Sequence, residues 1–175
     1  NLSWDAIVCA AELAEPFGAL IDPDDKELFD LRNIPEKIHN ICARHGEQAE
    51  TVGQVARCVY ESLTLKYRWY VEQLQKITGR SFSAIHIVGG GSKNSLLNHF
   101  TADATGLPVI AGPAEGASMA NILTQAIAVG ELKNISELRA VVRASEAVRC
   151  FEPQQTQRWN DAYGKYVERF NIRSQ

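Results

Sequence analysis

The fold is decided by the stretch Ile85-His86-Ile87-Val88-Gly89-Gly90-Gly91-Ser92-Lys93-Asn94-Ser95. Its first residues form a short apolar run, which is typical of a buried parallel strand. Three glycines then turn the chain, and the apolar residues that follow have helical spacing. Because a strand that passes through a turn into a helix is the repeating unit of α/β sheets, this stretch predicts an α/β fold.

The residues on either side extend this pattern. Downstream, Pro108-Val109-Ile110-Ala111 predicts a second strand, and residues 149–152 predict a third short one. Upstream, we expect helices after Ser3 and over residues 35–45, with a possible short strand at 19–21. The alternation of strands and helices favours a parallel sheet covered by helices, in which His86 is a buried core residue. The sheet has few strands for so many helices.

A long helix before the glycine turn carries the clearest periodicity. Its apolar residues recur every three or four positions over about six turns, and Gly79 is placed to end it. An apolar and aromatic stripe of this kind is expected to form core rather than to bind a ligand. The stripe consists of Val55, Val59, Leu63, Tyr67, Tyr70, Leu74 and Ile77.

Composition excludes several classes of protein. The 175 residues are 45% hydrophobic and 22% charged, which is typical of a globular domain and not of a disordered chain. The net charge of −3 gives no general attraction to nucleic acid or to anionic lipid. No apolar run has the roughly 18 residues that a membrane span needs. The first residues lack a starting methionine and a basic segment, so we expect a piece of a longer cytoplasmic protein without a signal peptide.

Four cysteines are present, at positions 9, 42, 58 and 150, and none lies in a CxxC motif. This spacing does not indicate a zinc site, and free thiols are the expectation for a reducing cytoplasm. Cys42 and Cys58 lie on two predicted helices joined by a short, turn-rich connection. From the residues alone, these two can either form a disulfide or fill the core as small apolar side chains.

The glycine turn is the strongest chemical signal. Glycine allows a positive φ and a close approach of the backbone to a ligand, and the free N–H groups of the next helix favour an anion. Asn94 and Ser95 can either cap that helix or bond a ribose or phosphate. The pattern matches neither the Rossmann fingerprint nor the P-loop, so a tight turn without a ligand is equally possible. Spacing alone indicates no nucleophile, no paired carboxylates and no metal site.

Taken together, several stretches resemble a known family. Residues 85–94, 96–98 and 102–104 resemble the second signature of the FGGY carbohydrate kinases. The continuation over 109–115 and 121–125 is similar to the branch of that family that phosphorylates L-rhamnulose. The resemblance covers about residues 20–170. One departure is Ala120, which stands where the family pattern usually has glycine, so its methyl group is expected to narrow the helix packing or the adenine pocket near residues 116–121.

This resemblance implies an actin-like, ribonuclease-H-like ATPase fold, helix-rich with a partial parallel sheet. Residues 1–175 are expected to be a fragment of the C-terminal, nucleotide-binding domain of a two-domain kinase, whose N-terminal domain and catalytic aspartate are absent from this chain. The full enzyme would use ATP and Mg²⁺ to phosphorylate O1 of L-rhamnulose or a similar ketose, and the fragment alone would be inactive. The resemblance places the nucleotide contacts at Gly89, Gly90, Gly91, Asn94 and Ser95. It also matches Cys42 and Cys58 to a cysteine pair of the family.

Other functions stay open at this point. The chain can also be a non-catalytic nucleotide-binding module of the same fold, or part of a kinase for another ketose or polyol. A third alternative is a structural domain whose glycine turn is empty.

Overall fold

The computed structural model describes residues 2–145 and 147–172. Helices dominate it, and three short strands form one sheet. The α-helices are α1 (Trp4–Leu13), α2 (Ile34–Arg44), α3 (Val52–Thr78), α4 (Ser95–Thr105), α5 (Gly116–Ala128), α6 (Ile135–Ser145) and α7 (Thr156–Arg169). The strands are β1 (Ile85–Ile87), β2 (Val109–Ala111) and β3 (Arg149–Phe151), and single 3₁₀ turns span Lys26–Phe29 and Gly90–Lys93.

The sheet is mixed, where the sequence predicts a partial parallel sheet. β1 pairs with β2 in parallel, as predicted, but β3 pairs with β2 antiparallel. One helix, α4, separates β1 from β2 and returns the chain to the end of the sheet at which β1 begins. Two helices, α5 and α6, separate β2 from β3, so the chain arrives at the opposite edge and the third strand runs backwards.

α4 covers one face of this sheet. Ala102 from α4 packs with Val109, Ala111 and Phe151, all of which are buried. The other face carries His86 and Cys150, and both are exposed. The expectation that His86 is a buried core residue is therefore wrong, because its side chain points away from the face that α4 covers.

Local signals set several helix ends, of which the sequence predicts those at Ser3 and Gly79. The Ser3 hydroxyl accepts a hydrogen bond from the Ala6 N–H and caps α1. Thr51 and Gln54 form a capping box at the start of α3, and Gly79 ends that helix in the left-handed region. The segment around residues 19–21 is not a strand. Its backbone N–H groups bond side chains instead of a neighbouring strand: Leu20 donates to Glu47, and Ile21 donates to Ser62.

α3 is the central helix, but it buries a different face from the one that its apolar pattern predicts. Leu65 and the polar residues Glu61, Ser62 and Thr64 are fully buried, and Arg57 is 8% exposed. The last part of the predicted stripe is exposed instead, from Tyr67 at 37% and Tyr70 at 45% to Leu74 at 50% and Ile77 at 81%. The prediction of a continuous core stripe is therefore wrong beyond Leu63. The final turns of α3 border an apolar groove of about 460 Å³ beside β1.

The exposure of the stripe beyond Leu63 can be tested by measuring folding stability. Replacing Ile77 by serine should change the free energy of unfolding by less than about 0.5 kcal/mol, because the side chain is already in water. Leu65→Ala, in the same helix, should cost about 2–5 kcal/mol because it opens a cavity in the core. Urea denaturation followed by circular dichroism measures both. A cost for Ile77→Ser comparable to that of Leu65→Ala would show that the stripe is buried.

The cysteine pair lies in the core between α2 and α3. Cys42 and Cys58 are both buried, and their sulfur atoms are 3.9 Å apart. That distance is a thiol contact, since a disulfide bond is about 2.05 Å long, and all four cysteines are free. The contact with Cys42, together with burial, raises the pKa of Cys58, so its thiol is protonated at neutral pH. The two side chains pack as small apolar groups.

Candidate functional site: the glycine turn at the end of the first strand

The glycine turn begins where β1 ends. Gly89 has φ +79°, a conformation that residues with a Cβ rarely adopt. Its carbonyl accepts hydrogen bonds from both the N–H and the hydroxyl of Ser92, at 3.1 and 2.7 Å. These bonds close the 3₁₀ turn Gly90–Lys93, which stands between β1 and α4 where the sequence predicts a direct entry into the helix.

The other two glycines are not required by the backbone of the turn. Gly90 has no positive φ, and a Cβ built on it would meet no atom within 4 Å. A Cβ on Gly91 would lie 3.6 Å from the Ile87 side chain, an ordinary contact. Both glycines are exposed. Of the three glycines of the turn, the backbone therefore requires only Gly89, and the space beside Gly90 is open to a ligand.

A second turn lies beside the first. After β2, the Gly112 N–H donates to the Ile87 carbonyl at 2.8 Å, and the Gly89 N–H donates to the Pro113 carbonyl at 3.0 Å. The ends of the two parallel strands are thus hydrogen-bonded to each other. This is the carboxyl edge of the sheet, where open α/β sheets bind their ligands.

Asn94 and Ser95 have structural partners in this arrangement. Asn94 is 7% exposed and caps α4, with its side-chain oxygen accepting the Leu97 N–H at 3.1 Å. Burial raises the pKa of Tyr60, and a hydrogen bond with Asn94 partly offsets that rise. The Ser95 hydroxyl accepts a hydrogen bond from Arg149 at 2.8 Å. Asn94 thus shows one of the two roles that the sequence leaves open, helix capping. Ser95 shows a third role, a contact with Arg149 of β3.

Charged and aromatic groups surround the turn. Lys93 lies 4.0 Å from Glu115, which precedes α5, and both side chains are largely exposed. A cleft of about 260 Å³ separates α1 from the start of α4, and Trp4 and Lys93 are among the residues that line it. Trp4 is 64% exposed, so its ring is accessible from solvent. The sequence prediction missed this aromatic neighbour, because Trp4 is 85 or more residues away from the turn along the chain.

Two features are not found in the described part of the chain: a cluster of metal ligands and a membrane-spanning helix. No group of three or more histidine, cysteine, aspartate or glutamate side chains there is arranged to hold a metal ion. No helix in residues 2–145 and 147–172 is both long and apolar enough to cross a membrane.

Comparisons with known proteins place these features in a family. The sequence profile of the FGGY family of carbohydrate kinases, C-terminal domain, matches residues 2–129. The rhamnulokinase of Bacteroides thetaiotaomicron is 37% identical over 164 residues, covering 93% of this chain and 34% of the relative. The rhamnulokinase of Bacillus subtilis is 35% identical over 159 residues, covering 90% of this chain and 33% of the relative. The chain thus spans about a third of the length of these relatives.

Solved structures show the same fold. The xylulose kinase of Lactobacillus acidophilus superposes with a TM-score of 0.66 at 15% identity, over 96% of this chain and 34% of that one. The glycerol kinase of Plasmodium falciparum, solved with ADP, gives a TM-score of 0.65 at 16% identity, over 98% of this chain and 34% of that one. These likenesses confirm the predicted actin-like ATPase fold. Together with the profile match over most of its length, they show that the chain belongs to the FGGY family of carbohydrate kinases.

Proposed function

We propose that this chain is the nucleotide-binding part of an ATP-dependent sugar kinase that transfers the γ-phosphate of ATP to O1 of L-rhamnulose. The observation that carries the proposal is its 37% identity to a rhamnulokinase across 93% of the chain. Geometry supports the nucleotide contact, because Gly90 lies open at the carboxyl edge of the sheet. The ADP in the related glycerol kinase structure supports the same choice of ligand. The working domain would comprise residues 1–175 together with sequence that the longer relatives carry.

The turn would bind the phosphates through its backbone. At Gly90 the chain has no side chain between the backbone and solvent, so a phosphate oxygen can approach the N–H groups of the turn. We assign the main contact to Gly90, with Gly89 and Gly91 shaping the turn around it. Asn94 and Ser95 would support the turn indirectly, by fixing the start of α4. The cleft beside Trp4 and Lys93 is open enough to receive the base or ribose.

The transfer chemistry would be shared with the rest of the kinase. Phosphoryl transfer is catalysed mainly by positioning and by stabilising negative charge. Since the described residues gather no ligand set for a metal, Mg²⁺ would arrive bound to the phosphates of ATP. We assign the base that accepts the sugar hydroxyl proton, and the sugar contacts, to the two thirds of the relatives' length that this chain does not span. The chain alone should bind nucleotide without turning it over. The proposed location is the cytoplasm, which agrees with four free thiols.

Two experiments test this proposal. Isothermal titration of the 175-residue chain with Mg-ATP should show saturable binding at one site, and a coupled assay should show no turnover with L-rhamnulose. A chimera, in which this chain replaces the matched third of the B. thetaiotaomicron rhamnulokinase, should phosphorylate L-rhamnulose, because the chain supplies the nucleotide site and the relative supplies the sugar contacts. A folded chimera that binds no ATP would refute the nucleotide role. One that binds ATP but does not phosphorylate L-rhamnulose would refute the assignment to the L-rhamnulose branch.

A further inference from the structure

We propose that Arg149 is a positioning residue for the nucleotide-binding turn, and that it fixes the turn to the third strand of the sheet. The inference rests on the proposed function, since it concerns the same site. Arg149 lies outside the residues that the family profile matches, which end at position 129. It is separated from Ser95 by 54 residues, so only the tertiary structure brings the two together.

The strand register places Arg149 at the correct edge of the sheet. Because β3 runs antiparallel, its first residue pairs with Ala111, the last residue of β2. Ala111 in turn lies level with Ile87, the last residue of β1. Side chains two residues apart on a strand share a face, so Arg149 lies on the same face as Phe151, which packs under α4. The guanidinium group therefore lies beneath the start of α4.

The two ends of the guanidinium group hold two points of the turn. Nη1 donates to the Ser95 hydroxyl at 2.8 Å, and Nη2 donates to the Ser92 carbonyl at 2.7 Å. The Ser92 hydroxyl donates to the Gly89 carbonyl at 2.7 Å, so Ser92 links Arg149 to the first glycine of the turn. Asn98, fully buried in α4, donates to the same Ser92 carbonyl at 3.0 Å. Ser92 is thus held from β3 and from α4 together.

Arginine is suited to this task in a way that lysine is not. Its planar guanidinium group presents donors at fixed separation and can hold two acceptors at once, whereas the ammonium group of lysine is a point charge on a flexible stem. The described residues include no carboxylate that forms an ion pair with Arg149, so its geometry here is set by Ser92 and Ser95. The positioning role thus depends on the two donors of the guanidinium group, and a lysine, which preserves only the charge, should not replace Arg149.

The test compares Arg149→Lys, which keeps the charge, with Arg149→Gln, which keeps a donor. Both variants should weaken Mg-ATP binding about fivefold to tenfold in isothermal titration, because the turn is less firmly held. Amide hydrogen exchange should quicken over residues 89–97 and stay unchanged in α7. The melting temperature should change by less than about 3 °C, which separates positioning from a loss of overall stability. Arg80→Lys and Arg80→Gln, at an exposed arginine after α3, are the matched controls.

The outcomes separate this inference from the proposed function. Wild-type affinity and unchanged exchange in Arg149→Lys would overturn the positioning role and leave the nucleotide site standing. A fall in melting temperature with unchanged affinity would show that the residue is merely structural, and would also overturn it. If the wild-type chain binds no Mg-ATP, the proposed function fails, and the exchange experiment still decides whether Arg149 holds the turn.

Discussion

Replacing Arg57 with methionine should lower the free energy of unfolding by about 3–5 kcal/mol, because it leaves a buried carboxylate without its partner. Arg57 is 8% exposed, and Glu61, one turn further along α3, is fully buried. The Arg57 Nε donates to a Glu61 oxygen at 2.8 Å. The other Glu61 oxygen accepts the Phe17 backbone N–H at 2.8 Å. The pair therefore joins α3 to the chain that follows α1.

Arg57 also holds the end of α1 directly. Its Nη1 lies 3.0–3.1 Å from the carbonyl oxygens of Ala11, Glu12 and Ala14. The last carbonyls of a helix have no partner within the helix, so a cation placed there satisfies them and interacts favourably with the helix dipole. Methionine has a similar length and no donors, so the substitution removes these contacts without opening a large cavity.

The loss should depend on pH. Burial raises the pKa of Glu61, and Arg57 opposes that rise by hydrogen bonding and by its charge. Without Arg57, the folded-state pKa of Glu61 should rise further above its value in the unfolded chain. A carboxyl group with a raised folded-state pKa contributes stability at low pH that is lost as pH increases through that pKa. The deficit of Arg57→Met should therefore be smaller at about pH 4.5 than at about pH 8.

Urea denaturation at both pH values measures these effects. Arg32→Met is the matched control, because the Arg32 side chain is 88% exposed in its ion pair with Asp30 and should contribute only about 0–1 kcal/mol. In the double variant Arg57→Met with Glu61→Leu, part of the lost stability should return, since no buried charge is left unpaired. A loss below about 1 kcal/mol for Arg57→Met would contradict the role assigned to the pair.

The second large effect is expected at Gly90, on binding and not on folding. Gly90→Val should weaken Mg-ATP binding about tenfold or more, because its side chain would occupy the space through which a phosphate approaches the turn. The fold should tolerate the change, since a Cβ at this position meets no atom within 4 Å and no positive φ is required. Isothermal titration gives the affinity, and a thermal melt verifies that the variant is folded.

Two further glycines provide controls for this prediction. Gly164→Val, on the exposed side of α7, also meets open space, and it should leave both stability and nucleotide affinity nearly unchanged. Gly89→Ala should instead lower stability by about 1–3 kcal/mol, because position 89 requires a positive φ. If Gly90→Val binds Mg-ATP as tightly as the wild type, the phosphate contact lies elsewhere on the chain.

Local sequence signals were sufficient for the elements around the site. The apolar run before Gly89 predicted β1, and the glycines predicted the turn that leads to α4. These features depend on the φ angles and hydrogen bonds of a few consecutive residues, so neighbours in the sequence determine them. The family resemblance rests on the same residues, and the profile match confirms it.

Periodicity was a poor guide to the burial of α3. The helix was predicted correctly, but its spacing could not tell which side meets the rest of the chain. Leu65 and Glu61 are fully buried, whereas Leu74 and Ile77 are half exposed or more. A buried glutamate is stable there because Arg57 and the Phe17 N–H satisfy it, and this compensation is invisible in the spacing of apolar residues.

The sequence by itself determined the strand, turn and helix of the glycine site and the family to which the chain belongs. The tertiary structure alone decided the antiparallel direction of β3, the buried face of α3 and the partners of Arg57 and Arg149. The physical reason is the sequence separation of the groups involved. Caps and turns are satisfied by residues a few positions away, whereas ion pairs and burial depend on residues that are far apart in the sequence and meet only in the folded chain.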